Sequence, residues 1–134
     1  MKTIGIVPAR MGSSRFPGKP LFPICGKPMV EHVFARAKLS WDWDELCIAT
    51  CDAEIRDFAE DRGFPVVMTA DTHTRALDRV AEAYEVISDT TDDHDIVVCV
   101  QGDEPLLAGD TISAVINPFH EDDTVEGTML AVPI

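Results

Sequence analysis

The sequence lacks a long hydrophobic run and contains few positive charges. No apolar stretch approaches the roughly 20 residues of a membrane-spanning helix, and the N-terminus reaches Pro8 before the apolar core of a signal peptide could form. The 134 residues include 11 Lys and Arg against 24 Asp and Glu, for a net charge of −13. Such an acidic chain is poorly suited to binding nucleic acid or an anionic membrane. We therefore expect a cytoplasmic protein with neither of these as a partner.

The sequence also lacks the paired Cys and His motifs of a zinc site. Cys47 and Cys51 have no second pair that would complete four ligands. Cys47, Cys51 and Cys99 lie in or just after apolar runs, where reduced, buried thiols are common. We expect these thiols to be structural and to bind no metal.

Positive charge is concentrated in one place. The first forty residues hold seven of the eleven Lys and Arg and a single acid, Glu31, which gives a formal charge of +6 there and −19 in the remainder. An apolar strand leads directly into a loop of cations and small residues: Arg10, Gly12, Ser13, Ser14, Arg15, Gly18 and Lys19. In such a loop, backbone N–H groups and cationic side chains converge on one polyanion. The sequence therefore predicts a phosphate-binding loop, and the alternative, solvated surface charges, leaves the glycines unexplained.

This loop is of neither of the two common phosphate-binding types. A Walker A loop has four residues between its glycine and its Gly-Lys pair and then Ser or Thr, whereas Gly12 and Gly18 are separated by five residues and Pro20 follows Lys19. Proline offers neither a hydroxyl group for a metal nor an N–H group for a phosphate. The glycine pattern of a dinucleotide-binding fold is also missing.

Apolar runs and amphipathic segments alternate along the chain. The runs predict strands at 3–8, 46–50, 65–69 and 95–101, and their continuous hydrophobicity favours a parallel sheet covered on both faces. Helical spacing predicts one helix with Pro28 as its first residue, a second from an N-cap at Asp52 to a stop at Gly63, a third over 77–87 and a shorter fourth over 110–116. A last apolar run, 129–134, is typical of an entering strand. We predict a doubly wound, mainly parallel α/β fold with right-handed crossovers, as one nucleotide-binding domain over residues 1–134.

Ligands of such folds bind beyond the carboxyl ends of the strands. That edge brings the cationic loop together with the segments that follow Thr69 and Val100. In the last of these, Asp103 follows Gly102 and is the better candidate for a magnesium ligand, since Mg²⁺ prefers one or two carboxylates, waters and substrate phosphates. Glu104 is equally suited to turn structure before Pro105, and a loop without metal is the alternative.

The segment after Thr69 is crowded with polar groups. His73 is either a catalytic base or a histidine that caps a helix or hydrogen-bonds substrate. Asp78 and Arg79 either contact ligand or pair with each other.

Residues 8–21, 26–29 and 100–105 resemble the signature segments of the cytidylyltransferases that activate acidic sugars as CMP-sugars, and among them the 3-deoxy-manno-octulosonate (Kdo) cytidylyltransferases. The resemblance covers residues 2–107. Where that family usually carries His-x-Ser-Gly-Thr-Asp/Glu-Arg, this chain keeps His73, Asp78 and Arg79 but not Ser-Gly-Thr.

The resemblance implies a nucleotide-diphospho-sugar transferase-like fold and a reaction of CTP with Kdo to CMP-Kdo and pyrophosphate, in lipopolysaccharide biosynthesis. It implies Mg²⁺ as cofactor, bound by Asp103, a sugar near Gln101, and Arg10, Lys19 and Asp103 as the catalytic residues. The residues implied to contact the nucleotide and its sugar partner are Ala9, Arg10, Ser13, Arg15, Lys19, His73, Asp78, Arg79 and Gln101.

The resemblance also implies that the chain is the N-terminal half of the family's enzyme and that the full-length form is a homodimer. We expect the half alone to turn over sugar poorly. Two alternatives stay open: a related nucleotidyltransferase acting on another sugar acid or a polyol phosphate, and a nucleotide-binding module without turnover.

Overall fold

A computed structural model describes residues 2–12, 18–72, 75–87, 95–100, 109–122, 124–125 and 127. Its strands are β1 (Thr3–Pro8), β2 (Pro23–Ile24), β3 (Lys27–Pro28), β4 (Glu45–Thr50), β5 (Val66–Met68) and β6 (Ile96–Cys99). Its helices are α1 (Met29–Ser40), α2 (Ala53–Asp61), α3 (Ala76–Ile87) and α4 (Gly109–Glu121). Among the helices of these residues, none combines the length and the apolar composition of a membrane-spanning segment.

Four of the strands form a parallel sheet in the order β5-β4-β1-β6. Strand β1 lies inside the sheet, with Ile6 opposite Cys47 of β4 on one side and Cys99 of β6 on the other. All six residues of β1 are buried. The run is continuously hydrophobic because β1 has a strand on each side and packed helices on each face of the sheet, which leaves no residue exposed to solvent.

The two faces of the sheet carry different helices. The larger buried cluster joins alternate strand residues such as Val7, Ile48 and Val98 to the apolar faces of α1, α2 and α4. The smaller cluster joins Ile6 and its neighbours to α3. Helices on both faces of a parallel sheet confirm the doubly wound α/β fold.

Two predicted helix bounds are wrong. Pro28 is not the first residue of α1, because it pairs with Pro23 in β3 and has a non-helical ψ of 148°; the helix begins at Met29. Helix α4 does not stop at 116 but continues through Pro118 to Glu121. Phe119 packs against the same cluster that buries Ile116, and this packing offsets the cost of a proline inside the helix. The predicted strand at 129–134 lies outside the described residues.

The β2–β3 hairpin was not predicted from the sequence. Its two-residue turn places Cys25 at φ 53° and Gly26 at φ 83°, the left-handed region that favours this kind of tight turn. The hairpin redirects the chain from the loop after β1 into α1.

The carboxylate of Asp95 ties the start of the sheet to α3. It accepts hydrogen bonds from the Lys2 backbone N–H at 2.9 Å and from the Tyr84 hydroxyl at 2.8 Å. The hydrogen bond from the Lys2 backbone is the main cause of the lowered pKa of Asp95, and partial burial of the carboxylate acts in the opposite direction.

Candidate functional site

The parallel strands end at one edge of the sheet, which we call the carboxyl edge. It consists of residues 9–12 after β1, residues 50–52 at the end of β4 and directly after it, residues 69–70 after β5, and Val100 after β6. Backbone hydrogen bonds continue past the strands and hold these segments together. The Ala9 N–H donates to the Ala49 carbonyl at 2.9 Å, and the Val100 N–H donates to the Ile6 carbonyl at 2.9 Å. The ends of β1, β4 and β6 are therefore held side by side at this edge.

The loop after β1 begins and ends at one point. The Gly18 N–H donates to the Met11 carbonyl at 2.8 Å, and Gly18 has a φ of 79°. A short 3-10 turn, Lys19–Leu21, follows directly and leads to the hairpin. Arg10, which the sequence predicts to bind phosphate, is exposed at the start of this loop, while Ala9 is buried beside it. Ser13 and Arg15 lie outside the described residues, and of Lys19 only the backbone is described.

The start of the loop is held by Asp52. The Met11 N–H donates to Asp52 Oδ2 at 2.8 Å, a bond between residues 41 positions apart. The Cys51 thiol donates to the same oxygen at 3.8 Å, and the Asp52 N–H donates to Thr50 Oγ1 at 3.1 Å. Asp52 occupies the N-cap position of α2, as the sequence predicts, yet its side chain makes no capping hydrogen bond. Sequence reasoning missed this tether because the N-cap pattern accounted for the residue completely.

Arg79 is buried beneath the segment after β5, with 3% of its surface exposed. Its Nε donates to Thr69 Oγ1 at 3.0 Å and its Nη2 donates to Cys51 Sγ at 3.6 Å. Asp78 pairs with Arg75 at 3.3 Å, so the alternative that Asp78 and Arg79 pair with each other is wrong. Among the described residues no carboxylate forms an ion pair with Arg79.

Helix α3 also fixes the backbone after β5. The Ala70 N–H donates to both carboxylate oxygens of Glu82, at 3.2 and 3.1 Å. The Thr69 N–H donates to the Thr50 carbonyl at 2.9 Å. These bonds orient the segment that leads to His73, which itself lies outside the described residues.

The cysteines near this edge differ in chemistry. All four are free thiols. Burial, together with the charge of Glu45, raises the pKa of Cys47 to about 12, and burial also raises the pKa of Cys99. A thiol with so high a pKa is protonated at neutral pH and is a poor nucleophile. Cys51 is half-buried at the carboxyl edge, between Arg79 and Asp52.

The described part of the carboxyl edge does not form a metal centre by itself. No group of three or more His, Cys, Asp or Glu side chains there, or elsewhere in the described residues, is arranged to hold a metal ion. The Asp52 carboxylate is already bonded to Met11 and Cys51. Asp103 and Gln101, predicted as magnesium ligand and sugar contact, lie outside the described residues.

Comparison with known proteins gives a consistent result. Residues 4–134 match the protein family described as cytidylyltransferase. A 3-deoxy-manno-octulosonate cytidylyltransferase from Coxiella burnetii is 43% identical over 129 residues, which are 96% of this chain and 51% of that protein. An 8-amino-3,8-dideoxy-manno-octulosonate cytidylyltransferase from Shewanella frigidimarina is 44% identical over 120 residues, 90% of this chain and 48% of that protein.

The fold agrees with a solved structure of CMP:2-keto-3-deoxy-manno-octonic acid synthetase complexed with CTP. The TM-score is 0.82 at 33% identity, over 93% of this chain and 50% of that one. The chain thus spans about half the length of the relatives that it matches.

Proposed function

The chain belongs to the cytidylyltransferase family, and we propose that it forms the CTP-binding half of an enzyme that transfers CMP to an acidic sugar. In the proposed reaction the anomeric hydroxyl oxygen of the sugar forms a bond to the α-phosphorus of CTP. The bond between that phosphorus and the bridging oxygen breaks, pyrophosphate leaves, and the hydroxyl proton is released. CTP and Kdo would give CMP-Kdo and pyrophosphate.

The loop after β1 carries this proposal. It holds three of the chain's eleven Lys and Arg, namely Arg10, Arg15 and Lys19, in a protein with an overall charge of −13. The Gly18 N–H donates to the Met11 carbonyl and the Met11 N–H donates to Asp52, so the two ends of the loop are held together at the carboxyl edge. A loop with fixed ends has less conformational freedom to lose on binding, which favours recognition of a triphosphate.

The residues of this chain would act mainly by positioning and charge. Arg10, exposed at the loop entry, and Lys19 would neutralise phosphate oxygens as charge develops on the leaving pyrophosphate. Ser13 and Arg15 would bind the same phosphates. Asp103 would hold Mg²⁺, which when bound supplies positive charge to the phosphates. Arg79 would hold the segment after β5, which leads to His73, in place through its hydrogen bond to Thr69.

The sugar is the least determined part of the proposal. The two relatives named above act on Kdo and on its 8-amino analogue, and their identities to this chain, 43% and 44%, do not separate the two. We propose Kdo, with Gln101 near the sugar and His73, Asp78 and Arg79 on the same side. By the same resemblance, the full-length protein would be a cytoplasmic homodimer that serves lipopolysaccharide biosynthesis.

The test is pyrophosphate release from CTP, Mg²⁺ and sugar. It uses the chain extended by the half that its relatives carry, with Kdo and 8-amino-Kdo compared in parallel. We expect turnover with Kdo, and a strong reduction in Asp103→Asn that excess Mg²⁺ partly restores. CTP binding by the 134 residues without turnover by the extended chain would favour a nucleotide-binding module. Turnover with 8-amino-Kdo but not with Kdo would show that the 8-amino analogue is the substrate.

A further inference from the structure

We propose that Asp52 is a positioning residue for the triphosphate: its carboxylate fixes Met11, where the loop after β1 begins, at the carboxyl edge. The inference rests on the proposed function, since it assigns the loop to CTP. Asp52 itself touches no phosphate in this account and acts through the backbone of Met11.

The first support is where the carboxylate is directed. An Asp at an N-cap ordinarily accepts a hydrogen bond from the second or third N–H of its own helix. The side chain of Asp52 makes no such bond to α2, and its Oδ2 instead accepts the Met11 N–H at 2.8 Å. Helix α2 therefore begins without its usual side-chain cap while the loop gains a charge-assisted hydrogen bond.

The second support is that the carboxylate belongs to a connected set of contacts. The Cys51 thiol donates to the same Oδ2 at 3.8 Å, and the buried Arg79 donates to Cys51 Sγ at 3.6 Å. Arg79 also bonds Thr69 at 3.0 Å. Through Asp52 the loop after β1 is thus tied to the segment after β5, and two walls of the proposed site share one support.

The sign of the charge distinguishes a positioning role from a purely electrostatic one. A carboxylate beside a triphosphate site repels the ligand, so a purely electrostatic role predicts tighter CTP binding when Asp52 is neutralised. A positioning role predicts the opposite for any side chain that cannot reach Met11. The two explanations therefore differ in direction as well as in size.

Three substitutions separate these roles. Asp52→Asn keeps an oxygen at the same reach and removes the charge. Asp52→Ser keeps a good N-cap for α2 but is one bond too short to reach Met11, and Asp52→Thr serves in its place if the serine variant does not fold. Glu54→Gln, an exposed acid in the first turn of α2, is the matched control for loss of one negative charge.

The measurements are calorimetric titration of the 134-residue chain with CTP plus Mg²⁺ and with cytidine, hydrogen exchange at the Met11 amide, and urea unfolding. For Asp52→Ser we expect CTP binding about tenfold to a hundredfold weaker, the range of a lost hydrogen bond to a charged group. We expect cytidine binding changed far less, and faster Met11 exchange in a chain that still unfolds cooperatively. Glu54→Gln should bind CTP within about threefold of the parent, since the whole tether is retained. Asp52→Asn should fall between the parent and Asp52→Ser, because its amide oxygen still accepts the Met11 N–H but without the negative charge.

Three results would overturn the inference while leaving the proposed function intact: unchanged or tighter CTP binding in Asp52→Ser, equal losses for CTP and cytidine, or equal losses in the Asn and Ser variants. If the parent chain itself binds no CTP, the proposed function fails, and the inference falls with it.

Discussion

Replacing Arg62 by alanine measures how much the ion pair between Glu31 of α1 and Arg62, the C-cap residue of α2, stabilises the fold. Arg62 Nη1 lies 2.9 Å from Glu31 Oε1, and the Glu31 side chain is only 9% exposed. No described residue donates a hydrogen bond to the other oxygen, Oε2, which is buried. Arg62→Ala therefore leaves a buried carboxylate without its cation.

The expected loss lies between two limits. Breaking a fully buried pair costs about 3–5 kcal/mol, and an exposed pair contributes about 0–1 kcal/mol. Arg62 is 48% exposed, so solvent screens its half of the pair and the loss should be about 2 kcal/mol. The guanidinium also lies 5.2 Å from the centre of the Phe58 ring, a contact that adds about 0.5 kcal/mol at exposed sites.

Urea unfolding followed by fluorescence is the assay. With a urea m-value of about 1.5 kcal/mol/M, the midpoint should fall by about 1–2 M. The double variant Arg62→Ala, Glu31→Gln should recover about 1 kcal/mol, because the buried group is then neutral. Arg56→Ala removes an exposed pair with Asp57 on the same helix and should change stability by less than about 0.5 kcal/mol. A loss in Arg62→Ala no larger than this control, or no recovery in the double variant, would refute the reasoning.

Three further predictions concern the sheet and its turns. A Cβ at Gly5 would lie 2.7 Å from Leu46 Cδ1 and 3.0 Å from the Trp43 ring. Gly5→Ala should therefore destabilise the fold by about 1–3 kcal/mol and alter tryptophan fluorescence. An unchanged free energy of unfolding would show that Leu46 and Trp43 move aside without cost. Cys25→Asn should stabilise by about 0.5 kcal/mol in thermal unfolding, because Asn tolerates the φ of 53° better; a lower melting temperature would count against the turn geometry. The backbone N–H bond lowers the pKa of Asp95, so its stabilisation is present above the unfolded pKa and lost as pH falls through the folded one. In Asp95→Asn the free energy of unfolding should therefore decrease less steeply below about pH 4 than in the parent. A decrease as steep as the parent's would contradict this.

The sequence was most informative where one physical signal acted alone. The continuous apolar run at 3–8 gave β1 with its observed bounds, because burial on both faces leaves no room for polar residues. Gly63, predicted as the stop of α2, has a φ of 75° just beyond the helix.

The features that the sequence pattern did not predict depend on tertiary contacts. Asp52 carries an N-cap signal, yet its side chain bonds Met11, 41 residues away, and no local pattern encodes that distance. Helix α4 was predicted to end at 116, but packing of Phe119 on the core accompanies its continuation through Pro118 to Glu121. Arg79 was predicted as a ligand contact or an ion-pair partner, and its burial against Thr69 and Cys51 depends on how α3 crosses the sheet.

The central claim is that the loop after β1 binds the phosphates of CTP. Its most direct test is calorimetric titration of Lys19→Ala with CTP plus Mg²⁺ and with cytidine, beside Lys38→Ala, an exposed lysine in the last turn of α1, as control. Lys19→Ala should weaken CTP binding by about tenfold or more and leave cytidine binding nearly unchanged, because cytidine carries no phosphate; Lys38→Ala should match the parent for both ligands. Equal losses for CTP and cytidine in Lys19→Ala, or CTP binding as tight as the parent's, would contradict the assignment of this loop to phosphate.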